Sequence, residues 1–470
     1  MSLLLLLIII IPYLTTCLFS ISITSPPSLS SLFNNLPIQT SPSSFGHIPH
    51  GKSLPSKLFF NPINDNINNA CFHLTDQPHF NSFTSSLTSS SSFCVLSNFG
   101  DCTFLSKAKN IQLSGAQCAI LINDTPKEPI ESVLISDYDD KGNDITIPVI
   151  VMNYENGTTL KQFIFNNNSS ASIDIILNFE IQNKTDKVDV NIWYSADDEQ
   201  VYKLFTNMSE YYNVLVSSSK FVNVNIHVIT YKHMEYNEYS NVNNKYAFDN
   251  CYGSGKYCIQ QNKLGINDGR VIVKEDIRQK CVYAVGDNYM KYMKVFYKEC
   301  VCKGMFNEEC AENVMDRERI RKDDVNKCIS NSFINANVYN EDDYIRNEFI
   351  MENEILNSEY KIREINYVEK SPTVFINKRL YFGNINSNYI IEAICAHLTK
   401  PIYICHNNNT FITQPQRHLK LWFGIIIMSI FVLSGAFLTI KYLTKHKHKS
   451  KTTMIISSEL STLPREYISV

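Results

Sequence analysis

The sequence lacks an excess of basic residues and has no basic cluster except a short one near its C-terminus. Its 470 residues include 43 Lys and Arg against 46 Asp and Glu, which gives a net charge of -3. Because nucleic-acid binding relies on a strongly basic surface, we expect no nucleic-acid partner. No constellation of Ser, His and Asp stands out, so the sequence predicts no catalytic residues and a protein that is not an enzyme.

Long uncharged apolar runs are rare, and the longest lies at residues 421–440. A helix of twenty residues rises about 30 Å, the thickness of the hydrocarbon core of a bilayer. We therefore predict a single transmembrane helix. Lys420 and Lys441 flank this run, and further lysines follow it, which predicts a cytoplasmic tail at residues 441–470.

A second apolar run, at residues 3–11, predicts a signal peptide over residues 1–22 that is cleaved between Thr16 and Thr24. No Lys or Arg precedes this run, so an uncleaved anchor is the alternative. The two runs together predict a single-pass type I membrane protein, with the residues between them on the lumenal side.

Cysteine is absent from the tail: of 14 cysteines, Cys17 falls in the predicted signal peptide, and all the others lie between it and the apolar run at 421–440. This distribution is typical of an oxidising compartment and predicts disulfides. It excludes a membrane ubiquitin ligase, because a RING domain in the tail would need Cys and His ligands for zinc. The glycosylation candidates on the same side are Asn123, Asn156, Asn168, Asn183, Asn207 and Asn409, with Asn167 and Asn408 as alternatives to their neighbours.

Residues 23–44 are rich in Ser and Pro without a sustained period, which predicts a linker that does not fold. From residue 45, short apolar runs are separated by turn residues. Their strand, helix and strand order predicts an α/β domain over residues 45–182. The predicted elements are strands at 93–96, 118–122 and 145–152, with a helix at 103–113.

A second domain is predicted over residues 186–413, with the element order of a thioredoxin-like fold. Pro372 precedes its final hairpin, as in the cis-proline turn of that fold. A cysteine-rich insertion at about 250–370 splits the order, and we expect it to be helical and joined by disulfides. The predicted elements are a strand at 188–193, a helix at 198–212, a strand at 222–230, the hairpin at 372–382 and a helix at 387–398.

The sequence lacks the residues that redox or metal chemistry would need. A thioredoxin-like redox site requires a low-pKa thiolate after the first strand, but residues 193–198 contain no cysteine and end in Asp197 and Asp198. Cys251 and Cys258 enclose a glycine-containing loop with no His nearby, which favours a short disulfide over zinc. We expect no metal and no cofactor.

Two sets of residues resemble known families. Residues 98–104, with later matches at 107–108, 115–116, 120–124, 147–149 and 157, resemble a protease-associated domain. The cysteine pattern is more specific: it resembles the lumenal region of plant-type vacuolar sorting receptors over roughly residues 45–405. The matching segments are 251–258, 268–273, 277–283, 307–312, 325–328, 372–374, 377–379 and 393–395.

The resemblance implies a binding protein for soluble vacuolar or lysosomal cargo proteins. The cargo groove would be bordered by Phe99, Gly100, Asp101, Cys102 and Phe104. The family usually has Arg where this chain has Phe99, and a ring cannot clamp a carboxylate as a guanidinium does. The family's epidermal-growth-factor-like repeats are missing between Cys405 and the membrane helix.

The resemblance also implies which cysteines form disulfides, because their spacing matches that of the family. Cys302 has no counterpart in that spacing. The disulfide candidates are Cys71, Cys94, Cys102, Cys118, Cys251, Cys258, Cys281, Cys300, Cys310, Cys328, Cys395 and Cys405.

The tail ends in a Tyr-x-x-apolar motif formed by Tyr467 and Val470, the form that clathrin adaptor complexes bind. The predicted fold class is therefore α/β multidomain: a protease-associated domain, a thioredoxin-like domain with a disulfide-rich helical insertion, and a transmembrane helix. The predicted function is a receptor that sorts cargo from the Golgi and trans-Golgi network through endosomal or prevacuolar membranes. The alternatives are a membrane-anchored folding or redox factor and a cell-surface adhesion glycoprotein.

Overall fold

The computed structural model describes residues 19–60, 69–88, 91–130, 141–166, 173–217, 220–232, 249–259, 262–286, 288–334 and 351–406. The predicted membrane helix at 421–440, the tail motif of Tyr467 and Val470, Asn168 and Asn409 lie outside these ranges. Within them, no helix has both the length and the apolar character needed to cross a membrane.

The N-terminal domain is a closed barrel flanked by helices, with strand order β1-β2-β6-β5-β4-β3-β7. Strands β3 to β6 run parallel in the order β3-β4-β5-β6, and antiparallel β1, β2 and β7 close the barrel. The strands are β1 (Phe19–Ser25), β2 (Ile38–Pro42), β3 (Ser53–Phe59), β4 (Phe93–Asn98), β5 (Cys118–Ile122), β6 (Val149–Met152) and β7 (Ile173–Asn178). The helices are α1 (Pro27–Leu32), α2 (Pro78–Ser86), α3 (Phe104–Leu113) and α4 (Tyr154–Asn166).

The central parallel strands β4, β5 and β6 are apolar along most of their length because both faces are covered. In β5, Ile120 packs into one core cluster while Ala119 and Leu121 pack into another beneath α2 and α3. Strands buried on both faces are expected to lack polar alternation. This explains why β4, β5 and β6 could be predicted as strands from short apolar runs.

The prediction of a linker at residues 23–44 is wrong, because β1, α1 and β2 are part of the barrel. Phe19 and Ile21 of β1 are 3 % and 2 % exposed, and Leu29 and Ile38 are equally buried. β1 alternates buried and less buried positions, so its serines lie where partial exposure is tolerated. The predicted signal peptide end at residue 22 also conflicts with β1, and cleavage compatible with the closed barrel falls before Phe19.

The second domain is built on a sheet of order β15-β14-β8-β9, in which β8 and β9 are parallel and β14 and β15 are antiparallel additions. The predicted cis peptide bond precedes Pro372. The sheet strands are β8 (Val188–Tyr194), β9 (Val222–Val228), β14 (Thr373–Ile376) and β15 (Arg379–Leu380). Helix α5 (Glu199–Ser217) connects β8 to β9, and α11 (Ser387–His397) and α12 (Tyr403–His406) follow the hairpin.

The insertion between β9 and β14 is mostly helical, as expected. Its helices are α6 (Arg270–Val285), α7 (Tyr289–Phe296), α8 (Glu308–Arg317), α9 (Lys322–Ser332) and α10 (Glu354–Asn366), and its short strands are β10 (Cys251–Tyr252), β11 (Tyr257–Cys258), β12 (Phe333–Ile334) and β13 (Glu352–Asn353). Asn side chains cap three helices of this domain: Asn307 caps α8, Asn353 caps α10 and Asn386 caps α11.

Disulfides join the twelve candidate cysteines in the described part of the chain. Cys302 is free and exposed. The Cys281–Cys328 bond ties α6 to α9, and a bond between β4 and β5 lies in the barrel core. The pairs are Cys71–Cys102, Cys94–Cys118, Cys251–Cys258, Cys281–Cys328, Cys300–Cys310 and Cys395–Cys405.

Candidate functional site

The loop at residues 99–104 lies at the carboxyl end of β4. Because β4, β5 and β6 are parallel, their carboxyl ends meet at one rim of the barrel, the end at which α/β barrels commonly place their binding loops. The structure thus brings the five residues predicted to border the groove onto one rim. We call residues 99–104 the rim loop.

The rim loop is held in an unusual conformation. Gly100 and Asp101 both have positive φ, at 87° and 65°, a region that favours glycine and tolerates aspartate. Cys102 is bonded to Cys71, which fixes the loop to the segment preceding α2. The Thr103 hydroxyl then accepts from the Ser106 N–H and caps α3.

A buried lysine supports the loop from below. Lys107 of α3 is fully buried, and its Nζ donates to the backbone carbonyl of Asn69. Asn69 in turn donates from Nδ2 to Asp101 Oδ2 at 2.9 Å. Burial lowers the pKa of Lys107, and the carboxylate of Asp101 opposes that shift. The Asn110 side chain donates to the carbonyl of Ala70 at 2.9 Å, so the same segment is held at two points.

Aromatic side chains form the accessible surface of this rim. The Phe99 and Phe104 ring centroids are 4.6 Å apart, and both side chains are half-buried against the outer core of the barrel. Phe72, next to the bridging cysteine, is 76 % exposed. This surface can take an apolar side chain, and Asp101 is the charged residue of the loop. Sequence reasoning missed Asn69 and Phe72; pairing of Cys71 with Cys102 would have pointed to both.

The place of a thioredoxin-like redox site is occupied by a buried polar network. The Ser195 Oγ donates to Asp197 Oδ1 at 2.6 Å, and the Ser371 Oγ donates to Asp198 Oδ2 at 2.9 Å. Lys263 Nζ pairs with Asp198 at 2.9 Å, which balances one of the two carboxylates. The residue before the cis-proline thus bonds to a carboxylate instead of facing a thiolate.

Asp276 of α6 continues this network inward. Its Oδ1 accepts from the Ala196 N–H at 2.7 Å, while its Oδ2 has no hydrogen-bond partner among the described residues. Burial raises the pKa of Asp276 well above its usual value; the Ala196 N–H opposes this, and the Asp197 and Glu275 carboxylates add to it. Burial likewise raises the pKa of Asp197 against the hydrogen bond from Ser195. The arrangement contains no group suited to thiol exchange.

The glycosylation candidates differ in accessibility. Asn123 is 2 % exposed, and its Nδ2 donates to Glu128 Oε2 at 2.7 Å, so its amide is engaged within the fold. Asn156 is half-buried, whereas Asn183 and Asn207 are exposed. Those two are the described candidates that a glycan can reach. In the sequence, Asn408 rather than its neighbour Asn409 has Thr at the second following position.

Comparison with known proteins agrees with both domains. A family model described as the vacuolar sorting receptor thioredoxin-like domain matches residues 188–395, and a PA domain model matches residues 63–160. Vacuolar-sorting receptor 6 of Arabidopsis thaliana is 25% identical over 63% of this chain and 47% of its own length. Vacuolar-sorting receptor 3 of the same plant is 24% identical over 80% and 59%. Vacuolar-sorting receptor 1 of Pisum sativum is 24% identical over 64% and 49%.

The chain therefore joins a PA domain to a thioredoxin-like domain whose redox position holds carboxylates. Over both domains it is similar to the vacuolar sorting receptors. It spans between about half and three-fifths of the length of these relatives.

Proposed function

We propose that the protein is a type I membrane receptor that binds soluble cargo proteins in the Golgi and endosomal lumen and sorts them to a vacuole or lysosome. The observation that carries this proposal is the PA barrel with a disulfide-held aromatic rim loop in a chain that is similar to the vacuolar sorting receptors. Phe99, Gly100, Asp101, Cys102 and Phe104 are the proposed cargo contacts.

The membrane anchor and the sorting signal are proposed from the sequence alone. Residues 421–440 are uncharged and are followed by lysines, which supports one span with a cytoplasmic tail. Tyr467 and Val470 would then bind a clathrin adaptor complex. With such a tail signal, the receptor would cycle through Golgi, trans-Golgi network and endosomal or prevacuolar membranes.

A redox or folding factor is the first alternative, and the carboxylate network around Ser195 and Asp198 disfavours it. A cell-surface adhesion glycoprotein is the second alternative. An adhesion glycoprotein would carry the same disulfides and glycans as a sorting receptor. Binding partners and localisation therefore have to distinguish the two.

Cargo capture tests the lumenal half of the proposal. We expect the chain from Phe19 to residue 413, immobilised at neutral pH and eluted with acid, to recover vacuolar hydrolases. Replacing Phe99 and Phe104 together with Ser should weaken capture about tenfold or more, because buried aromatic anchors dominate such interfaces. The matched control is Leu113→Ser at the far end of α3, a side chain that is 60 % exposed and should leave capture unchanged.

Recovery of cell-surface proteins in place of hydrolases would favour the adhesion alternative. Reduction of insulin disulfides by the same segment would revive the redox alternative. If the Phe and Leu113 variants lost capture equally, we would conclude that cargo does not bind at the rim loop.

The tail signal is tested by localisation. Tyr467→Ala should move the protein from Golgi and endosomes to the cell surface, because an adaptor pocket that takes a tyrosine ring loses its main contact. The readout is the fraction of receptor labelled at the surface of intact cells. Ser469→Ala, at a position the motif leaves open, should not change that fraction; equal distribution of the Tyr467 variant and the parent would contradict the adaptor reading.

A further inference from the structure

The Cys71–Cys102 disulfide, which holds the rim loop, is accessible from solution. Both of its cysteines are half-buried, whereas both cysteines of the disulfide in the barrel core are fully buried. In the described part of the chain, Cys395–Cys405 is the one other disulfide with two half-buried cysteines. Exchange requires direct attack of a thiolate on one sulfur, so these two bonds are the ones that a dissolved thiol can reach most readily.

Lys107 lies against the Cys71 sulfur. Its Nζ is 3.6 Å from the Cys71 Sγ and donates to the Asn69 carbonyl. The lysine side chain is fully buried, and Asp101, the carboxylate that acts on it, is hydrogen-bonded to the Asn69 amide at 2.9 Å. Burial penalises the charge of the ammonium, and an adjacent anion offsets that penalty. Negative charge is therefore favoured on the Cys71 sulfur.

Thiol exchange develops negative charge on the sulfur that leaves. The attacking thiolate forms a new S–S bond with one cysteine, and the original S–S bond breaks with its electron pair on the other. A cation next to a cysteine lowers the pKa of its thiol, and a thiol of lower pKa leaves faster. With Lys107 beside Cys71, attack at Cys102 and departure of Cys71 is the favoured direction.

We propose that the Cys71–Cys102 bond is a thiol-exchange site, at which a small thiol of the glutathione class forms a mixed disulfide with Cys102 while Lys107 stabilises the departing Cys71 thiolate. A second small thiolate then attacks the sulfur of the bound thiol, and Cys102 leaves. The two small thiols are oxidised to their disulfide, and the Cys71–Cys102 bond is reduced to two thiols. The two protons that the small thiols lose are returned to the cysteines.

Opening of this bond removes the covalent link between the rim loop and the segment before α2, where the Asn69–Asp101 hydrogen bond remains. The exchange itself goes beyond the proposed receptor function, because it requires no cargo. Its consequence rests on that function: a rim loop without its covalent link would bind cargo less tightly, so small thiols would regulate cargo capture.

Differential alkylation of the full chain in excess reduced glutathione at neutral pH tests the site. We expect Cys71–Cys102 to open about tenfold faster than Cys395–Cys405, because Lys107 stabilises the leaving thiolate and both bonds are half-buried. At early times, peptide mapping should find the glutathione adduct on Cys102. Equal rates of opening, or an adduct mainly on Cys71, would overturn the proposal.

Replacement of Lys107 assigns the effect to its charge. Lys107→Met should slow opening about tenfold. The variant also loses the hydrogen bond to Asn69, but a loosened segment would open faster, so the charge and a purely structural role predict opposite changes. Lys109→Met, on the exposed face of α3, is the matched control and should keep the parent rate. An unchanged or faster rate in Lys107→Met would overturn the role of the lysine; if that variant does not fold, the adduct position in the parent chain still decides.

Cargo capture tests the consequence separately. The parent chain with Cys71–Cys102 opened and alkylated should capture cargo several-fold less than the same chain alkylated without reduction. Equal capture by both would overturn the regulation of capture. If the untreated chain captured no cargo, the proposed function would be contradicted, while the rates of opening would still decide the exchange site.

Discussion

A chain that begins at Phe45 instead of before Phe19 is expected to form no barrel. The deletion removes β1 and β2, which pair with β7 and β6 and close the sheet. Without them, β6 and β7 would each expose an unpaired edge, a geometry that promotes aggregation.

The free energy lost with the buried side chains is also large compared with the stability of a domain. Four fully buried apolar side chains are removed: Phe19, Ile21, Leu29 and Ile38. At roughly 1.5–3 kcal/mol each, they contribute about 6–12 kcal/mol, comparable to the entire ~5–15 kcal/mol of a typical native protein. We expect the shortened lumenal chain to be secreted poorly and to lack a protease-resistant N-terminal domain.

The control keeps Phe19 and exchanges only residues 1–18 for an unrelated cleavable signal sequence. That chain should be secreted and should show the Cys71–Cys102 and Cys94–Cys118 bonds on non-reducing peptide mapping. A shortened chain with the same two bonds and the same protease resistance would show that β1 and β2 are dispensable.

The sequence of residues 19–44 predicts a signal peptide end and a linker, and not two strands, because the strands' partners are distant in sequence. β1 pairs with β7, about 150 residues away, and local composition carries no trace of that pairing. By contrast, β4, α3 and β5 follow each other within thirty residues and form one parallel unit. Apolar run, capped helix and apolar run are local signals, and they predicted these elements at nearly their observed bounds.

The second domain shows the same division. Its strands, its connecting helix and the cis bond at Pro372 follow from local pattern and turn chemistry. The buried charges of α6 do not, because Glu275 and Arg278 in a helix look like an ordinary solvated face. Their partners, Tyr292 of α7 and Glu308 of α8, are brought to them by the tertiary fold.

The resemblance predicts the rim loop, but it does not predict the side chains that hold the loop in place. The order Phe99 to Phe104 carries the family pattern, whereas Asn69 and Lys107 are 38 residues apart and meet in the fold beside the Cys71–Cys102 bond. Disulfide pairing cannot be read from cysteine positions alone. The loop is therefore predictable from the sequence, whereas the contacts that set its shape are not.

Arg278→Met is expected to destabilise the second domain by about 3–5 kcal/mol, because it leaves a buried carboxylate without its counter-charge. Arg278 is 2 % exposed and donates to Glu275 at 2.8 Å and to Glu308 at 2.9 Å. Glu275 also accepts from the Tyr292 hydroxyl at 2.7 Å, so it cannot turn toward water without breaking another bond. The chain ending at residue 413 has Trp193 as its single tryptophan, so urea unfolding followed by its fluorescence reports on this domain.

Neutralising both partners separates the charge effect from lost packing. In Glu275→Gln with Arg278→Met, the amide oxygen still accepts from Tyr292 and neither member of the pair is charged, so most of the lost stability should return. Arg317→Met is the exposed control: its side chain is 59 % exposed and pairs with Glu299 at 3.4 Å, which predicts a change below about 1 kcal/mol. If the double variant is as unstable as Arg278→Met alone, packing of the arginine stem, and not its charge, stabilises α6.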